Sequence, residues 1–318
     1  MTDAPVVVVT EFMDEQAVER LKAAVPTHYD PGLVDNPQHL EQVVAGARAL
    51  IVRNRTQVRG SLLQAARALE IVGRLGVGLD NIDVPACQAR SIQVKPATGA
   101  NAASVAEYVI ATMLHLIRGR AYSVFDEITA GTWPRGQCVG GEVGGRTLGL
   151  VGFGGIAREV ARRARALDMS VIAYDPMIPA DASVWSEGSW APVKPVSLEI
   201  LYGEADVISL HVPLTNQTRN MIDQKAIAGM KDTALVINTA RGGIVDETAL
   251  LKALRANKLG GAAVDVFATE PVDQEAGSRF IDVPNLVLTP HIAGVTNESN
   301  ERVSDMIASK VLKHLLEA

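Results

Sequence analysis

Short runs of β-branched and other apolar residues alternate with amphipathic stretches along most of the chain, and this alternation limits the folds open to it. A strand-length apolar run followed by apolar residues at three- and four-residue spacing is typical of a βα unit. Repeated units of this kind predict an α/β fold in which helices cover a mostly parallel sheet. The predicted strands span residues 6–10, 49–52, 71–74, 92–94, 147–151, 170–174, 206–211, 234–238, 261–266 and 285–288. Helices are predicted over 13–24, 37–45 and 60–69 between the first four strands.

Size and composition exclude several classes of protein. The chain has 318 residues, 47% of them hydrophobic, which is enough for two folded domains at about 150 residues each. A formal net charge of -6 gives no attraction for a nucleic-acid backbone. No apolar segment is long enough to span a bilayer, and the first residues do not resemble a secretory signal. Cys87 and Cys138 are too few for a disulfide framework, so we expect a cytoplasmic protein with no nucleic-acid or membrane partner.

Three segments fall outside the alternation. A long helix is predicted over 101–117 and an amphipathic one over about 298–316, and the second could return the chain to its first unit and make that domain discontinuous. The glycine-rich stretch 131–145 is compatible with an arm, a dimer contact or a loop, and the sequence does not decide among them. Trp185 and Trp190 lie in an irregular connection, where we interpret them as surface covering.

A glycine-rich turn follows the predicted strand 147–151. It matches the pattern GxGxxG/A, whose glycines let the backbone approach a pyrophosphate while the next helix presents free N–H groups. The motif by itself also suits a plain turn. Asp175 ends the next strand 18 residues after Ala157, where a carboxylate accepts hydrogen bonds from ribose hydroxyls and repels a 2′-phosphate. The sequence therefore predicts an NAD site, rather than an NADP site, comprising Gly152, Gly154, Gly155, Ile156 and Asp175.

Three later strands are each followed by a side chain suited to acid–base or anion chemistry. Arg241 follows strand 234–238, Asp265 and Glu270 lie at and beyond the end of 261–266, and His291 follows 285–288. Alone, such an Arg is usually a solvated cation and such a His a structural residue. Together, an Arg that holds a carboxylate and a His whose proton is kept by a Glu predict a hydride-transfer site for a 2-oxo acid, with no metal. Spacing does not show whether the three side chains converge.

Several segments in combination resemble the D-isomer-specific 2-hydroxyacid dehydrogenases, particularly the phosphoglycerate dehydrogenase-like branch. The matching segments are 73–81, 152–157, 230–246, 265–271 and 291–294. The resemblance implies that the catalytic residues are Arg241, Glu270 and His291. It implies additional cofactor contacts at Val212, Thr239, Ala240, Asp265 and Gly294. It also implies that the substrate carboxylate is held by the backbone amides of Gly76, Val77, Gly78 and Leu79.

The same resemblance implies an architecture of two doubly wound parallel-sheet domains with a cleft between them. Residues 97–289 would form a Rossmann NAD-binding domain, and residues 1–96 plus 290–318 a flavodoxin-like substrate domain. Members of the family dimerise through the nucleotide domain, using an arm that corresponds here to 122–145. The expected protein is a homodimeric, NAD-dependent oxidoreductase that interconverts a D-2-hydroxy acid and its 2-oxo acid.

Two departures from the phosphoglycerate dehydrogenase pattern bear on the substrate. Val77 stands where many of those enzymes have a hydroxyl residue, and 95–98 differs from their usual sequence. Arg53 and Arg55 match basic positions that some members use for a second anionic group, although their ordinary interpretation is solvated surface charge. We hypothesise that Arg53, Arg55 and Lys95 receive the phosphate of a substrate like 3-phosphoglycerate or the sulfonate of one like sulfolactate.

Alternative functions stay open at this level. The chain could be a hydroxypyruvate or glyoxylate reductase, or an NAD-sensing binding protein, since corepressor-like relatives on this scaffold keep the site residues. Formate dehydrogenase, another relative, lacks a carboxylate at the position of Glu270, which argues against that activity here.

Overall fold

Every pairing between neighbouring strands among the described residues is parallel, as the alternation of strands and helices predicts. The structure is a computed structural model that describes residues 5–317. It contains two compact units, each built on its own sheet. Unit 1 comprises the described residues up to Asn101 and those from Val295 onward, and unit 2 comprises Ala102–Gly294.

Unit 1 contains a five-stranded sheet in the order β2-β1-β3-β4-β5, the flavodoxin-like doubly wound order. The strands are β1 (Val7–Val9), β2 (Thr27–Tyr29), β3 (Ala49–Val52), β4 (Ile71–Arg74) and β5 (Gln93–Pro96). The helices between them are α1 (Glu15–Ala24), α2 (Pro37–Val44), α3 (Gly60–Ala65) and α4 (Val84–Ala89). The residues of β1 and β3 are all fully buried, because helices cover both faces of a sheet of this type.

Unit 2 contains a seven-stranded sheet in the order β12-β11-β10-β9-β6-β7-β8. The strands are β6 (Thr147–Val151), β7 (Ser170–Tyr174), β8 (Lys194–Pro195), β9 (Val207–Leu210), β10 (Leu235–Asn238), β11 (Gly261–Val264) and β12 (Leu286–Leu288). Its helices are α5 (Ala102–Ile117), α6 (Phe125–Thr129), α7 (Gly155–Arg165), α8 (Leu198–Glu204), α9 (Gln224–Ala228), α10 (Glu247–Arg255) and α11 (Gln274–Ser278). This is the Rossmann strand order with one added edge strand, and the order reverses between β6 and β9, where such sheets bind ligands.

The last helix, α12 (Asn297–Glu317), packs on the sheet of unit 1. Ser304 Oγ accepts a hydrogen bond from the backbone N–H of Asp14 at 3.0 Å. Gly73 of β4 lets the helix approach closely, since a Cβ at that position would lie 2.6 Å from Ile307 Cγ2. The N- and C-terminal parts of the chain therefore share one core.

The chain passes between the units at 101/102 and 294/295, whereas the positions expected from the sequence are 96/97 and 289/290. Ala97 and Ala100 are buried in the core of unit 1, and the N–H of Ala97 donates to Gly76 O at 2.8 Å. The N–H of His291 donates to Asp265 O at 2.8 Å, which holds the residues after β12 in unit 2. His291 consequently lies in the same unit as Arg241 and Glu270.

Some elements differ from their sequence-based expectations. β2 and α4 were not predicted, because both are short and β2 is a half-buried edge strand without an apolar run. The interpretation of Trp185 as surface covering is wrong: its side chain is only 5% exposed and stacks on Phe153 at a ring-centroid distance of 4.8 Å.

None of the described helices combines the length and apolar character that crossing a bilayer requires.

Candidate active site

His291 and Glu270 form a direct pair on neighbouring loops. Glu270 follows β11 and His291 follows β12, and these two strands lie side by side in the sheet. His291 Nδ1 lies 2.8 Å from Glu270 Oε2. Because Nδ1 is engaged by the carboxylate, Nε2 is the ring nitrogen left to exchange a proton with another group.

The backbone around His291 is held by Asp265, which is 1% exposed. The N–H groups of Ile292 and Ala293 donate to its two carboxylate oxygens at 2.8 and 2.9 Å. His291 itself has a φ of 57°, a left-handed conformation that a non-glycine residue adopts only where its surroundings hold it there. Asp265 therefore sets the direction in which the imidazole leaves the chain.

The loop that carries Glu270 is held in a similar way by a second buried carboxylate. The N–H of Phe267 donates to Glu270 Oε1 at 2.8 Å, and the N–H of Ala268 donates to Glu247 Oε1 at 2.7 Å. Glu247 is 6% exposed and is also paired with Arg279. This role of Glu247 is not predicted by the sequence, because an acidic residue in the first turn of a helix is more commonly a helix-dipole partner.

Arg241 lies on the loop after β10, and Asn238 closes that loop. Asn238 Nδ2 donates to Arg241 O at 2.9 Å, while its Oδ1 accepts the N–H of Ala240 at 3.1 Å. Gly242 is required at the next position, because a Cβ there would lie 1.7 Å from Phe267 O. This close approach brings the loops of Arg241 and Glu270 together.

The neighbours of Glu270 lower the pKa of its carboxyl group. Burial raises the pKa of the carboxyl group, but the hydrogen bonds from His291 and from the N–H of Phe267, with the charges of His291 and Arg241, outweigh burial and leave it below its ordinary value. Glu270 is therefore an anion at neutral pH, placed to stabilise a protonated imidazole. The structure brings His291 and Glu270 into direct contact and places the loop of Arg241 against the loop of Glu270, which spacing in the sequence did not show.

Within the glycine-rich turn after β6, Gly152 is crowded by neighbouring atoms, whereas Gly154 and Gly155 face open space. Gly152 has a φ of 88°, and a Cβ there would lie 2.6 Å from His211 O, whereas a Cβ on Gly154 or Gly155 would meet nothing within 4 Å. Helix α7 begins at Gly155, and its N-cap Gly154 makes no side-chain capping bond, so the first N–H groups are available to an anion. Asp175 Oδ2 accepts the N–H of Phe153 at 2.8 Å, which fixes the carboxylate beside the turn.

These residues fit a dinucleotide. The turn offers free N–H groups to a pyrophosphate, and Asp175 retains acceptor capacity for ribose hydroxyls. Thr239 supplies an independent sign, since its Oγ1 is buried and has no hydrogen-bond partner within the described part of the chain. The other residues expected to contact the cofactor follow strand ends of the same sheet: Val212 after β9, Ala240 after β10, Asp265 after β11 and Gly294 after β12.

The residues expected to bind substrate through backbone amides or a second cation lie in unit 1. Residues 76–79 follow β4 and residues 53–55 follow β3, its neighbour in the sheet. Asn81 joins the two loops, because its Nδ2 donates to Thr56 O at 2.8 Å. The structure thus places the loop of Arg53 beside the loop of Gly76, while Lys95 lies in β5.

Glu11, two residues after β1, organises the loop after β3. Its carboxylate, 4% exposed, accepts the backbone N–H groups of Arg53, Asn54, Arg55 and Thr56 at 2.9, 3.3, 3.0 and 3.0 Å. Burial raises the pKa of Glu11, but these hydrogen bonds outweigh burial and hold it below its ordinary value. Nothing local in the sequence identified this role, since donor and acceptor are about forty residues apart.

The two arginines differ in their surroundings. Arg53 is half-buried, donates to Asn300 Oδ1 at 2.8 Å and lies over the ring of Phe12, with Cζ 5.8 Å from its centroid. Arg55 is exposed and paired with Asp35.

No group of three or more metal-ligating side chains is found among residues 5–317.

Comparison with known proteins agrees with the fold. Residues 110–293, more than half of the chain, match the model of the D-isomer specific 2-hydroxyacid dehydrogenase, NAD binding domain. The chain therefore belongs to the D-isomer specific 2-hydroxyacid dehydrogenase family, and it is an NAD-dependent oxidoreductase of that family.

Particular relatives cover almost the whole chain. It is 52% identical over 309 residues to an (S)-sulfolactate dehydrogenase of Chromohalobacter salexigens, covering 97% of this chain and 98% of that one. It is 40% identical over 283 residues to a hydroxypyruvate reductase of Thermotoga maritima, covering 87% and 90%. A solved structure of D-lactate dehydrogenase from Aquifex aeolicus, complexed with NAD and lactic acid, superimposes with a TM-score of 0.82 at 29% identity, covering 97% and 95%.

Proposed function

We propose that this dehydrogenase acts on a D-2-hydroxy acid with a second anionic group, and that the group is a sulfonate as in sulfolactate. The observation that carries the proposal is Arg53: a half-buried cation on a loop held by the Glu11 carboxylate and joined to the loop of Gly76. A partly desolvated guanidinium gains more from an anionic ligand than a solvated one. The similarity to an (S)-sulfolactate dehydrogenase supports the same substrate class.

The acid–base chemistry is assigned to His291. In the oxidation direction, His291 Nε2 takes the proton of the substrate hydroxyl as the C2–O bond becomes a carbonyl, and in reduction it returns that proton. Bound NAD supplies the other half of the reaction, accepting or donating the hydride at C2. Glu270, paired with Nδ1, stabilises the imidazolium that forms. Arg241 holds the C1 carboxylate and polarises the carbonyl by presenting a planar fork.

The remaining predicted contacts divide between cofactor and substrate. We assign the pyrophosphate to the turn of Gly152, Gly154, Gly155 and Ile156, and the adenosine ribose to Asp175. The rest of the cofactor is assigned to Val212, Thr239, Ala240, Asp265 and Gly294. The amides of Gly76, Val77, Gly78 and Leu79 are assigned to the substrate carboxylate.

We assign Arg53 and Arg55 different roles in binding the sulfonate. Arg55 is solvent-exposed and already paired with Asp35, so releasing it for a ligand costs an existing interaction. Arg53 is assigned the direct contact with the sulfonate, and Arg55 and Lys95 add a longer-range attraction. Burial lowers the pKa of Arg53, but from a value so high that the side chain stays charged.

The configuration in the relative's name is compatible with a family of D-specific enzymes. In lactate the carboxylate outranks the methyl group, whereas in sulfolactate the sulfur-bearing carbon outranks the carboxylate. Exchanging two priorities reverses the descriptor, so a D-configured sulfolactate is labelled S. The proposed substrate is therefore (S)-sulfolactate.

A substrate panel tests this proposal. NAD-linked turnover of (S)-sulfolactate, 3-phosphoglycerate, glycerate and lactate would be followed by nicotinamide absorbance. We expect sulfolactate to have the highest kcat/KM, and Arg53→Ala to lower it by roughly 10- to 100-fold while leaving lactate nearly unchanged. Arg67→Ala, an exposed arginine of unit 1, is the control.

The panel also separates the alternatives. Highest kcat/KM for glycerate, the hydroxy acid that corresponds to hydroxypyruvate, with no effect of Arg53→Ala, would support the reductase function named for the Thermotoga relative. A highest kcat/KM for 3-phosphoglycerate would support a second anionic group on the substrate but would identify that group as a phosphate and not a sulfonate. NADH binding without turnover of any acid would support an NAD sensor.

We also propose that the chain forms a homodimer through the segment 122–145, which we call the arm. Four large apolar side chains of the arm are exposed by 67 to 82%: Tyr122, Phe125, Trp133 and Val139. Such a concentration on one surface segment marks an interface. Phe125→Asp with Trp133→Asp should give a monomer by light scattering, while Met177→Asp, an exposed residue outside the arm, should not. An unchanged mass in the double variant would contradict the dimer.

The proposed compartment is the cytoplasm. Both cysteines, Cys87 and Cys138, are free thiols, which suits a reducing environment. Fractionation of cells that express a tagged chain would test the assignment.

A further inference from the structure

Tyr108, in the middle of α5, is joined to the loop of His291 by a short chain of side chains. Tyr108 Oη lies 2.6 Å from Thr289 Oγ1, and Thr289 Oγ1 lies 2.6 Å from Asp265 Oδ1. The same Oδ1 accepts the N–H of Ile292 at 2.8 Å. All four residues belong to unit 2.

The direction of each hydrogen bond follows from the groups. Asp265 accepts two backbone N–H groups and acts as the acceptor for Thr289 as well. The single hydroxyl proton of Thr289 is used for Asp265, so Thr289 must accept from Tyr108. Burial and the charge of Asp265 raise the pKa of Tyr108 despite the opposing hydrogen bond with Thr289, so its phenol keeps the proton that it donates.

His291 lies between the two ends of this arrangement. Thr289 is two residues before it and Ile292 is the next residue, and both bind the same carboxylate oxygen. His291 must hold its left-handed φ of 57° between those two points. Fixing Thr289 from the α5 side therefore limits the rotation of the segment that aims the imidazole at Glu270.

We propose that Tyr108 is a positioning residue for His291, acting through Thr289 and Asp265. The proposal rests on the proposed role of His291 as the acid–base residue. Loss of the phenol hydroxyl should leave NAD binding intact and let the His291–Glu270 pair lengthen. The charged groups that act on Glu270 are His291 and Arg241, so a looser His291 should raise the pKa of the Glu270 carboxyl toward its ordinary value.

Tyr108→Phe tests this, with Tyr202→Phe as the matched control. Tyr202 is a buried tyrosine of the same unit, and its hydroxyl donates to Met221 O at 3.3 Å, away from the His291 loop. We expect Tyr108→Phe to lower kcat by about 3- to 10-fold, the worth of one hydrogen bond, with an unchanged Kd for NADH. The acid limb of the kcat/KM profile should move to higher pH in Tyr108→Phe and stay in place in Tyr202→Phe.

Thr289 gives a second test if the tyrosine variant folds poorly. Thr289→Ser keeps the hydroxyl and should retain most of the activity, whereas the isosteric Thr289→Val should behave like Tyr108→Phe. Equal activity and pH profiles in Ser and Val variants would overturn the proposal. So would a Tyr108→Phe enzyme with an unmoved acid limb.

A separate variant distinguishes failure of this inference from failure of the proposed function. His291→Asn should abolish turnover if His291 is the acid–base residue. Full activity in His291→Asn would refute that role. An inactive His291→Asn beside an unaffected Tyr108→Phe would leave the role of His291 in place and refute only the part given to Tyr108.

Discussion

Glu270 and His291 meet at 2.8 Å because the two parallel strands before them, β11 and β12, are hydrogen-bonded neighbours in the sheet. Val264 of β11 is in register with Leu288 of β12, so both chains emerge at the same edge. Each loop is then held by a buried carboxylate, Glu247 for one and Asp265 for the other. The Glu270–His291 pair is thus supported by the sheet and by two buried carboxylates.

Glu270→Gln removes the anion that faces the imidazole while keeping its size. We expect kcat to fall by about 10- to 100-fold, because the imidazolium loses a charged partner. The lowered pKa of Glu270 means that its contribution is present at neutral pH and is lost as pH falls through that lowered value. The acid limb due to Glu270 should therefore disappear in a pH–rate profile of the variant. Glu275→Gln, on the exposed side of nearby α11, should retain the wild-type profile.

Glu11→Gln should destabilise unit 1 and weaken substrate binding together. A neutral amide accepts N–H groups less strongly than the carboxylate and places an N–H donor against some of them, so we expect a loss of about 1–3 kcal/mol at pH 7. The pKa of Glu11 is lowered by folding, so its stabilisation is present above the ordinary value of 4.5 and lost as pH falls through the lower folded value. The free energy of unfolding would be measured with urea at pH 7 and in acid. The difference between Glu11→Gln and wild type should be smaller at the acid pH.

The control for that experiment is Glu19→Gln, a change in an exposed glutamate of α1 that pairs with Lys22. It should alter stability by no more than about 0.5 kcal/mol. An equal loss in both variants would show that Glu11 has no special structural role.

Gly242→Ala should inactivate the enzyme without altering any of the proposed catalytic side chains. The added Cβ would fall 1.7 Å from Phe267 O, so the loops of Arg241 and Glu270 must separate. Misplacement on the scale of 1 Å costs about 100-fold in rate. Steady-state kinetics would measure the loss, and Gly203→Ala, where the new Cβ has ordinary contacts in α8, should keep full activity. Activity in Gly242→Ala near that of wild type would contradict the close approach.

Asp175→Ala tests the choice of cofactor. The carboxylate binds the N–H of Phe153 and, in our proposal, the ribose hydroxyls, so its loss should raise the Kd for NADH by roughly 10- to 100-fold. Because a repelling charge is also removed, the Kd for NADPH should change less and the preference for NADH should narrow. Fluorescence titration measures both, with the exposed Asp181→Ala as control. An unchanged ratio of the two constants would remove Asp175 from the ribose site.

The interactions that the sequence analysis missed have a common character. Glu11, Asn81, Glu247 and Tyr108 each bind groups more than twenty residues away. Of these four residues, Asn81 alone lies in a segment that matches the family, and its contact with Thr56 is not part of that motif. Trp185 was misread for the same reason, since its partner Phe153 is distant in sequence. Local spacing reports which side chains share a strand end or a helix face, whereas these contacts depend on which elements pack together.

By itself the sequence determined the class of fold, the family and the nucleotide cofactor. Periodicity is a property of a single element, and the matching motifs are local, so both can be read before the chain is folded. The tertiary structure decided that His291 belongs with Arg241 and Glu270 in one unit, and that Arg53 differs from Arg55. Those outcomes depend on burial and on hydrogen bonds between distant segments, which exist only once the sheets have assembled.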